Sequence, residues 1–142
     1  MAGELLVGYD GSDGSKAALN VAVDLAKQLG QKLVIVYAYE VSDFGGEVQD
    51  LARALRERGE QVNDEALAIA KDAGVDAESL IESGDKADTL ARVASDRGAA
   101  MVVIGCRGES PLKRLVLGSV AHKLLHLSTT PVLVVPAHTP SP

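Results

Sequence analysis

The sequence is poor in large aromatic side chains and in sulfur. Among its 142 residues it has no tryptophan, one phenylalanine (Phe44) and one cysteine (Cys106). Its core must therefore be built from Val, Leu, Ile and Ala, and the length suits a single domain. A lone cysteine excludes an internal disulfide and is typical of the reducing cytoplasm, where we expect the protein to reside.

Long apolar segments are also missing. No apolar run approaches the roughly 18 residues that a membrane-spanning helix requires, so we predict no membrane span. The opening stretch MAGELLVGYDGS has no basic residue ahead of its short apolar run, and we predict no secretory signal there. Both absences favour a protein with no membrane partner.

Positive charge is scarce over most of the chain. The formal net charge is −6, which argues against non-specific binding to nucleic acid. Residues 1–100 carry 10 Lys and Arg against 19 Asp and Glu, whereas residues 101–142 reverse this balance. The later segment has Glu109 as its only acidic residue against Arg107, Lys113, Arg114 and Lys123. This grouping indicates either a local anion site or a chance cluster on a solvated face.

Short apolar runs alternate with helical patterns along the chain. Strands are predicted from Leu5 and over 33–38, 76–82, 100–104 and 131–135, and helices over 12–29, about 47–73, 86–97 and about 119–128. This alternation favours an α/β fold, in which a parallel sheet lies between two layers of helices. We expect one domain over 1–136 and a flexible tail over 137–142.

Single residues mark the ends and faces of these helices. Gly30 and Gly98 are predicted to end the first and third helices, and Asp85 to cap the third. Gly59 predicts a weakened or kinked second helix. The last helix is predicted to carry Val120, Leu124 and Leu127 on one face, with Ala121 and Leu125 beside them.

Glycine-rich segments follow three of the predicted strands. They are residues 8–12 (GYDGS), 83–85 (SGD) and 105–108 (GCRG). Ligands of parallel α/β sheets bind outside the carboxyl ends of the strands, where the winding of the sheet reverses. The sequence therefore predicts a ligand site at this edge.

The segment 105–119, GCRGESPLKRLVLGS, is much longer than an ordinary strand-to-helix connection of about 2–6 residues. Gly105 and Gly108 stand at its start, and Gly118 and Ser119 at the start of the next helix. Glycines permit close approach to a ligand and positive φ, and a helix N-terminus suits a phosphate. Ser119 could cap the helix or donate to a phosphate oxygen. The alternative is a long surface loop with turn glycines and a serine cap.

Two common phosphate motifs are absent. No G-x-x-x-x-G-K-[ST] string occurs, which excludes a Walker loop. The glycines after the first strand, Gly8, Gly11 and Gly14, have the wrong spacing for a dinucleotide fingerprint, and Asp10 and Asp13 stand where a pyrophosphate would lie. Nicotinamide and flavin dinucleotides are therefore not expected.

The chain resembles the universal stress protein family from Leu5 to Val135. Gly105, Gly108, Gly118 and Ser119 match the family's nucleotide motif G-x2-G-x9-G-[ST]. The segments VGYDGSDGSKAAL, RGESPLKRLVLGSVAHKLL and PVLVVP are similar to the family as well. The resemblance implies a three-layer α/β/α fold, similar to the adenine nucleotide α-hydrolases, with a five-stranded parallel sheet of order 3-2-1-4-5. It also implies ATP binding, because many members with this motif bind ATP.

The resemblance assigns roles to individual positions. Asp10 matches an acidic residue that contacts the nucleotide, usually through the ribose, and Gly8 and Ala38 match backbone positions around the adenine. The positions that match the phosphate site are Gly105, Gly108, Gly118, Ser119 and Val120, with Arg107 bordering the phosphates. Cys106 departs from the family, where Ser or Thr is frequent, and a thiol is the weaker hydrogen-bond partner.

The function that follows is a nucleotide-dependent regulatory module of the stress response, with ATP and possible Mg²⁺ held indirectly by Asp10. A slow ATPase, or a protein that phosphorylates itself on Ser110 or Ser119, is an alternative. Binding of AMP or cyclic AMP and a purely structural dimer are others. The histidine pair His122 and His126 lacks an apparent third ligand, so no metal site is expected.

The last strand predicts self-association. In the implied order it lies at the sheet edge, and the run 131–135 is apolar on both faces. An unprotected edge of this kind pairs with another chain. A homodimer through residues 131–135, across a two-fold axis, is the simplest outcome.

Overall fold

The computed structural model describes residues 3–41, 48–106 and 117–136. Within these residues, five strands alternate with four helices, which confirms the predicted order of elements. The elements are β1 (Glu4–Gly8), α1 (Asp13–Leu29), β2 (Lys32–Tyr39), α2 (Val48–Asp72), β3 (Ala77–Ser83), α3 (Lys86–Arg97), β4 (Met101–Gly105), α4 (Ser119–Leu127) and β5 (Val132–Val135). The predicted tail, 137–142, lies outside the described residues.

The strands form one parallel sheet of order β3-β2-β1-β4-β5. Leu5 of β1 pairs with Leu33 of β2 on one side and with Met101 of β4 on the other. The chain therefore winds from β1 to one edge and then crosses over to the opposite half of the sheet. The predicted order 3-2-1-4-5 is confirmed, and the winding reverses between β1 and β4.

Both faces of the sheet are buried by apolar side chains. Leu5 and Leu33 belong to a cluster covered by α1 and α2, whereas Leu6 and Val34 belong to a second cluster covered by α3 and α4. The largest fully buried side chains are all Leu, Ile or Val. This confirms the aliphatic core that the lack of tryptophan and phenylalanine predicts.

The predicted cap of α3 at Asp85 and the predicted helix ends at Gly30 and Gly98 are confirmed, and Ser12 is found to cap α1. The Ser12 hydroxyl accepts a hydrogen bond from the Ser15 N–H (3.3 Å), and the Asp85 carboxylate accepts one from the Asp88 N–H (2.9 Å). Gly98 ends α3 in the left-handed conformation, with φ of 62°, as Gly30 does for α1. These local signals fix where α1 and α3 begin and end.

The buried face that the sequence predicts for α4 is wider than the one observed. Ala121 and Leu124 are buried, but Leu125 and Leu127 are 47% and 44% exposed. The helix lies over the edge of the sheet, against β5 and α3, so only a narrow stripe of its surface meets the core. The strands β3 and β4 each begin one residue later than predicted, at Ala77 and Met101.

α2 continues unbroken through Gly59. A Cβ added at Gly59 would lie 2.5 Å from Cδ1 of Tyr37 on β2. The glycine therefore lets α2 pack closely against the ring of Tyr37, and its role is to permit this contact.

None of the helices in the described parts of the chain has the length and apolarity needed to cross a bilayer.

Candidate functional site

A pocket of about 450 Å³ opens at the carboxyl ends of β1, β2 and β4, between the first turns of α1, α3 and α4. Seven of the predicted site residues line it: Gly8, Asp10, Ala38, Gly105, Gly118, Ser119 and Val120. Arg107 and Gly108 lie outside the described residues, as do Ser110, Lys113 and Arg114. Residues from four separate segments of the chain therefore meet around one cavity, at the point where the winding of the sheet reverses.

The turn from β1 into α1 holds Asp10 at the rim of the pocket. Its Oδ1 accepts a hydrogen bond from the Ser12 N–H (2.9 Å), and its own N–H donates to the Ser15 hydroxyl (3.3 Å). Burial alone would raise the pKa of the Asp10 carboxyl, but hydrogen bonds from Ser12 and Ser15 and the charge of Lys86 lower it overall. Asp10 is therefore a fixed carboxylate at neutral pH, suited to accept hydrogen bonds from hydroxyl groups.

Two glycines at the floor of the pocket permit close packing. A Cβ on Gly8 would lie 3.1 Å from Cδ1 of Leu90, and a Cβ on Gly105 would overlap the carbonyl oxygen of Gly14. Gly105 is not among the described glycines with positive φ, and Gly118 has φ of −66°. The expectation of positive φ is therefore wrong at Gly105 and at Gly118. What these two glycines contribute is the absence of a side chain.

The N-terminus of α4 is open toward the pocket. Its cap residue is Gly118, which has no side chain to accept from the first-turn N–H groups. Ser119 is the first residue of the helix and not its cap, and it lines the pocket. The first turns of α1 and α3 have side-chain caps, whereas among the described residues no side chain caps α4, and N–H groups of this kind suit an anion.

An ion pair joins α3 to α4 beside the pocket. Lys123 Nζ lies 3.0 Å from Asp85 Oδ2 and 3.4 Å from Asp88 Oδ2. The N–H of Asp88 and then the Lys123 ammonium hold the pKa of the Asp85 carboxyl below its ordinary value. The N-cap of α3 is thereby tied to the second turn of α4, which keeps the two helix N-termini side by side.

Sequence reasoning missed several residues that line the pocket, above all Lys86, Gly14 and Cys106. Lys86 begins α3 directly after the turn Ser83-Gly84-Asp85. That turn had been identified as one of the glycine-rich strand ends, so the basic residue following it was a usable signal. Cys106, identified in the sequence as a departure from the Ser or Thr frequent in the family, is buried and lines the same cavity.

The histidine pair lies on the outer surface of α4. The rings of His122 and His126 are 4.9 Å apart between centroids and meet edge to face, and both side chains are exposed. Over the described residues, no group of three or more His, Cys, Asp or Glu side chains is placed to hold a metal ion.

Comparison with known proteins matches most of the chain to one family. The model of the universal stress protein family matches residues 1–136. The universal stress protein YxiE of Bacillus subtilis is 35% identical over 147 residues, which covers 95% of this chain and 99% of that protein.

Solved structures show the same likeness. A universal stress protein family member from Burkholderia pseudomallei is 33% identical, with a TM-score of 0.80 over 94% of this chain and 95% of that one. A universal stress protein in complex with cAMP is 29% identical, with a TM-score of 0.74 over 97% of this chain and 98% of that one. Sequence and structure comparisons therefore agree over nearly the full length.

Proposed function

The chain belongs to the universal stress protein family, and on that premise we propose that its pocket binds an adenine nucleotide. The observation that carries this proposal is the open N-terminus of α4, where Gly118 leaves the first-turn N–H groups without a side-chain cap. Such a terminus has a partial positive charge and unpaired donors, which together favour a phosphate. A pocket of about 450 Å³ also falls within the usual size range of small-molecule sites.

The two ends of the pocket differ in chemistry, as the two ends of a nucleotide do. Val36, Ala38 and Leu90 give one part an apolar lining at the end of β2, which suits a flat base. Gly118 and Ser119 supply donors at the other part. The carboxylate of Asp10 lines the same pocket and can accept hydrogen bonds from ribose hydroxyls.

We propose ATP as the ligand, with the triphosphate held by α4 and by the motif glycines. Support comes from the complete motif Gly105, Gly108, Gly118 and Ser119. Cyclic AMP is the second candidate, because a 29% identical relative has been solved in complex with it. In either case the protein would act as a cytoplasmic, nucleotide-dependent regulatory module of the stress response.

Calorimetry with ATP, AMP and cyclic AMP tests the proposal, with GTP as a check on the base. The informative variant is Gly118→Asp, since φ of −66° and ψ of 161° accept any residue. An aspartate at the cap would occupy the N–H groups and repel phosphate. We expect a folded protein that binds none of these nucleotides. Asn20→Asp adds the same charge on the exposed face of α1 and should bind as the wild type does. Failure of the wild type to bind any adenine nucleotide would overturn the proposal.

We also propose a homodimer through β5. The N–H of Val102 donates to the carbonyl of Pro131 (2.8 Å), and Val102 is paired with Val132 in the register of β4 and β5. The N–H of Leu133 therefore faces β4, whereas those of Val132 and Val134 point away from the sheet. A free edge of this kind is suited to pair with a second copy of the chain.

A further inference from the structure

Lys86 lies in the same pocket as the residues assigned to nucleotide binding, although no part of the nucleotide motif includes it. It is the first residue of α3 and is partly buried. Lys86 lines the same cavity as Asp10 and Ser119. Its charge is one of the influences that lower the pKa of Asp10, although no ion pair within 4 Å joins the two side chains.

Among the described residues, no ion pair offsets the charge of this lysine at the start of α3. The N-terminus of a helix has a partial positive charge, which disfavours a cation in its first turn. Lys32, Arg97 and Lys123 each lie within 4 Å of a carboxylate, whereas no such partner lies near Lys86 among the described residues. The described fold therefore leaves a positive charge at the pocket wall without an ion-pair partner.

The nearest acidic neighbour along the chain is already engaged. Oδ2 of Asp85 accepts from the Asp88 N–H (2.9 Å) and pairs with Lys123 Nζ (3.0 Å). The same ion pair holds the first turn of α3 beside α4. As a result, the Lys86 ammonium and the uncapped N–H groups after Gly118 face one cavity, and both favour an anion.

We propose that Lys86 is a nucleotide-binding residue that contacts a phosphate group of the bound nucleotide. The inference rests on the proposed function and deepens it, because it assigns part of the anion affinity to a position outside the glycine motif. The interaction is a charge-assisted hydrogen bond from the ammonium to a phosphate oxygen. It contributes to AMP and to ATP binding and makes no contribution to the binding of adenosine.

The test compares adenosine, AMP and ATP on the wild type and three variants, at low and high salt. Lys86→Gln removes the charge and should weaken AMP and ATP binding by about tenfold or more, with a shallower salt dependence and no loss for adenosine. Lys86→Arg retains the charge and should keep most of the affinity. Lys27→Gln, in the last turn of α1, makes the same substitution away from the pocket and should change nothing.

Thermal unfolding of the ligand-free proteins gives a second measurement. The helix dipole disfavours Lys86 and the Asp10 carboxylate favours it, so Lys86→Gln should leave the Tm close to that of the wild type. Unchanged affinity for AMP and ATP in Lys86→Gln would overturn the inference while the proposed function stands. An equal loss for adenosine, together with a lowered Tm, would assign Lys86 a structural role and also overturn it. A wild type that binds none of the three ligands would overturn the proposed function itself.

Discussion

The end of β4 lies so close to the first turn of α1 that a Cβ on Gly105 would overlap the carbonyl oxygen of Gly14. Gly105 is the first glycine of the nucleotide motif, yet this contact requires a glycine there whether or not a ligand is present. The motif therefore combines two requirements. Gly105 is needed for the packing of strand against helix, and Gly118 is needed for an open helix N-terminus.

Gly105→Ala should lower the free energy of unfolding by about 1–3 kcal/mol or more, because the backbone of Gly14 must move. Urea unfolding of the ligand-free protein measures this cost. Gly3→Ala is the matched control, since its Cβ would meet the flexible end of the Gln31 side chain at 3.0 Å and the Cβ of Ala100 at an ordinary contact distance of 3.6 Å. Equal stability of the two variants would contradict the close packing described at Gly105.

Gly59→Ala should lower the free energy of unfolding, although helix propensity alone would predict that it raises it. In an exposed helix this change would stabilise by about 1 kcal/mol. Here the new methyl group would meet the ring of Tyr37, so we expect a loss of about 1–3 kcal/mol in urea unfolding. The double variant Gly59→Ala with Tyr37→Leu should recover part of that loss. Stabilisation by Gly59→Ala alone would show that α2 is free to move away from the sheet.

Asp85→Ala should destabilise the protein by about 0.5–2 kcal/mol at neutral pH, because α3 loses its N-cap and Lys123 loses a partner. Asp85→Asn keeps the cap and loses only an exposed ion pair, so its cost should stay below about 1 kcal/mol. Thermal unfolding at pH 7 distinguishes the two variants.

The carboxylate of Asp85 also makes the free energy of unfolding depend on pH. The hydrogen bond from the Asp88 N–H, followed by the Lys123 ammonium, lowers the pKa of Asp85 below its ordinary value of 3.8. Its contribution is therefore complete above that value and disappears as the pH falls through the lower folded-state pKa. Between pH 7 and about pH 3, the wild type should lose more stability than Asp85→Asn. Parallel losses in both proteins would contradict this assignment.

The dimer proposal is tested by proline at two neighbouring positions of β5. Val134→Pro removes an N–H that points away from the sheet, so the fold should survive and the dimer should dissociate. Leu133→Pro removes the N–H that faces β4 and should destabilise the monomer itself. Light scattering gives the mass, and circular dichroism reports the fold. A folded Val134→Pro protein that is still dimeric would place the interface elsewhere.

The sequence predicted best those features that depend on local chemistry. Ser12 and Asp85 are helix caps, and Gly98 ends α3, because each acts on atoms within a few residues. The sheet edge that carries the pocket was predicted for a related reason, since the strand ends are rich in glycine. The order of the strands came from the family resemblance, and the structure bears it out.

Features that depend on distant partners were not predictable in the same way. Gly59 was interpreted as a weak point because nothing in its neighbourhood indicates that Tyr37, on another element, lies against it. The buried face of α4 was predicted too wide, because periodicity does not reveal that the helix lies over a sheet edge. Lys86 had a local signal, because it directly follows a glycine-rich strand end, but that it lines the same pocket as Asp10 becomes visible only once α3 has packed.

The open cap of α4 has a consequence for the lifetime of the protein. A phosphate bound there would complete the helix from outside the chain and would stabilise the folded state alone. At a ligand concentration of 100 times Kd, this linkage adds about 2.7 kcal/mol to the free energy of unfolding. Slower proteolysis with rising ATP would reveal it. The amount of folded protein would then rise with the ATP concentration, because the glycine that caps the nine-residue helix α4 leaves its N-terminus open to a phosphate.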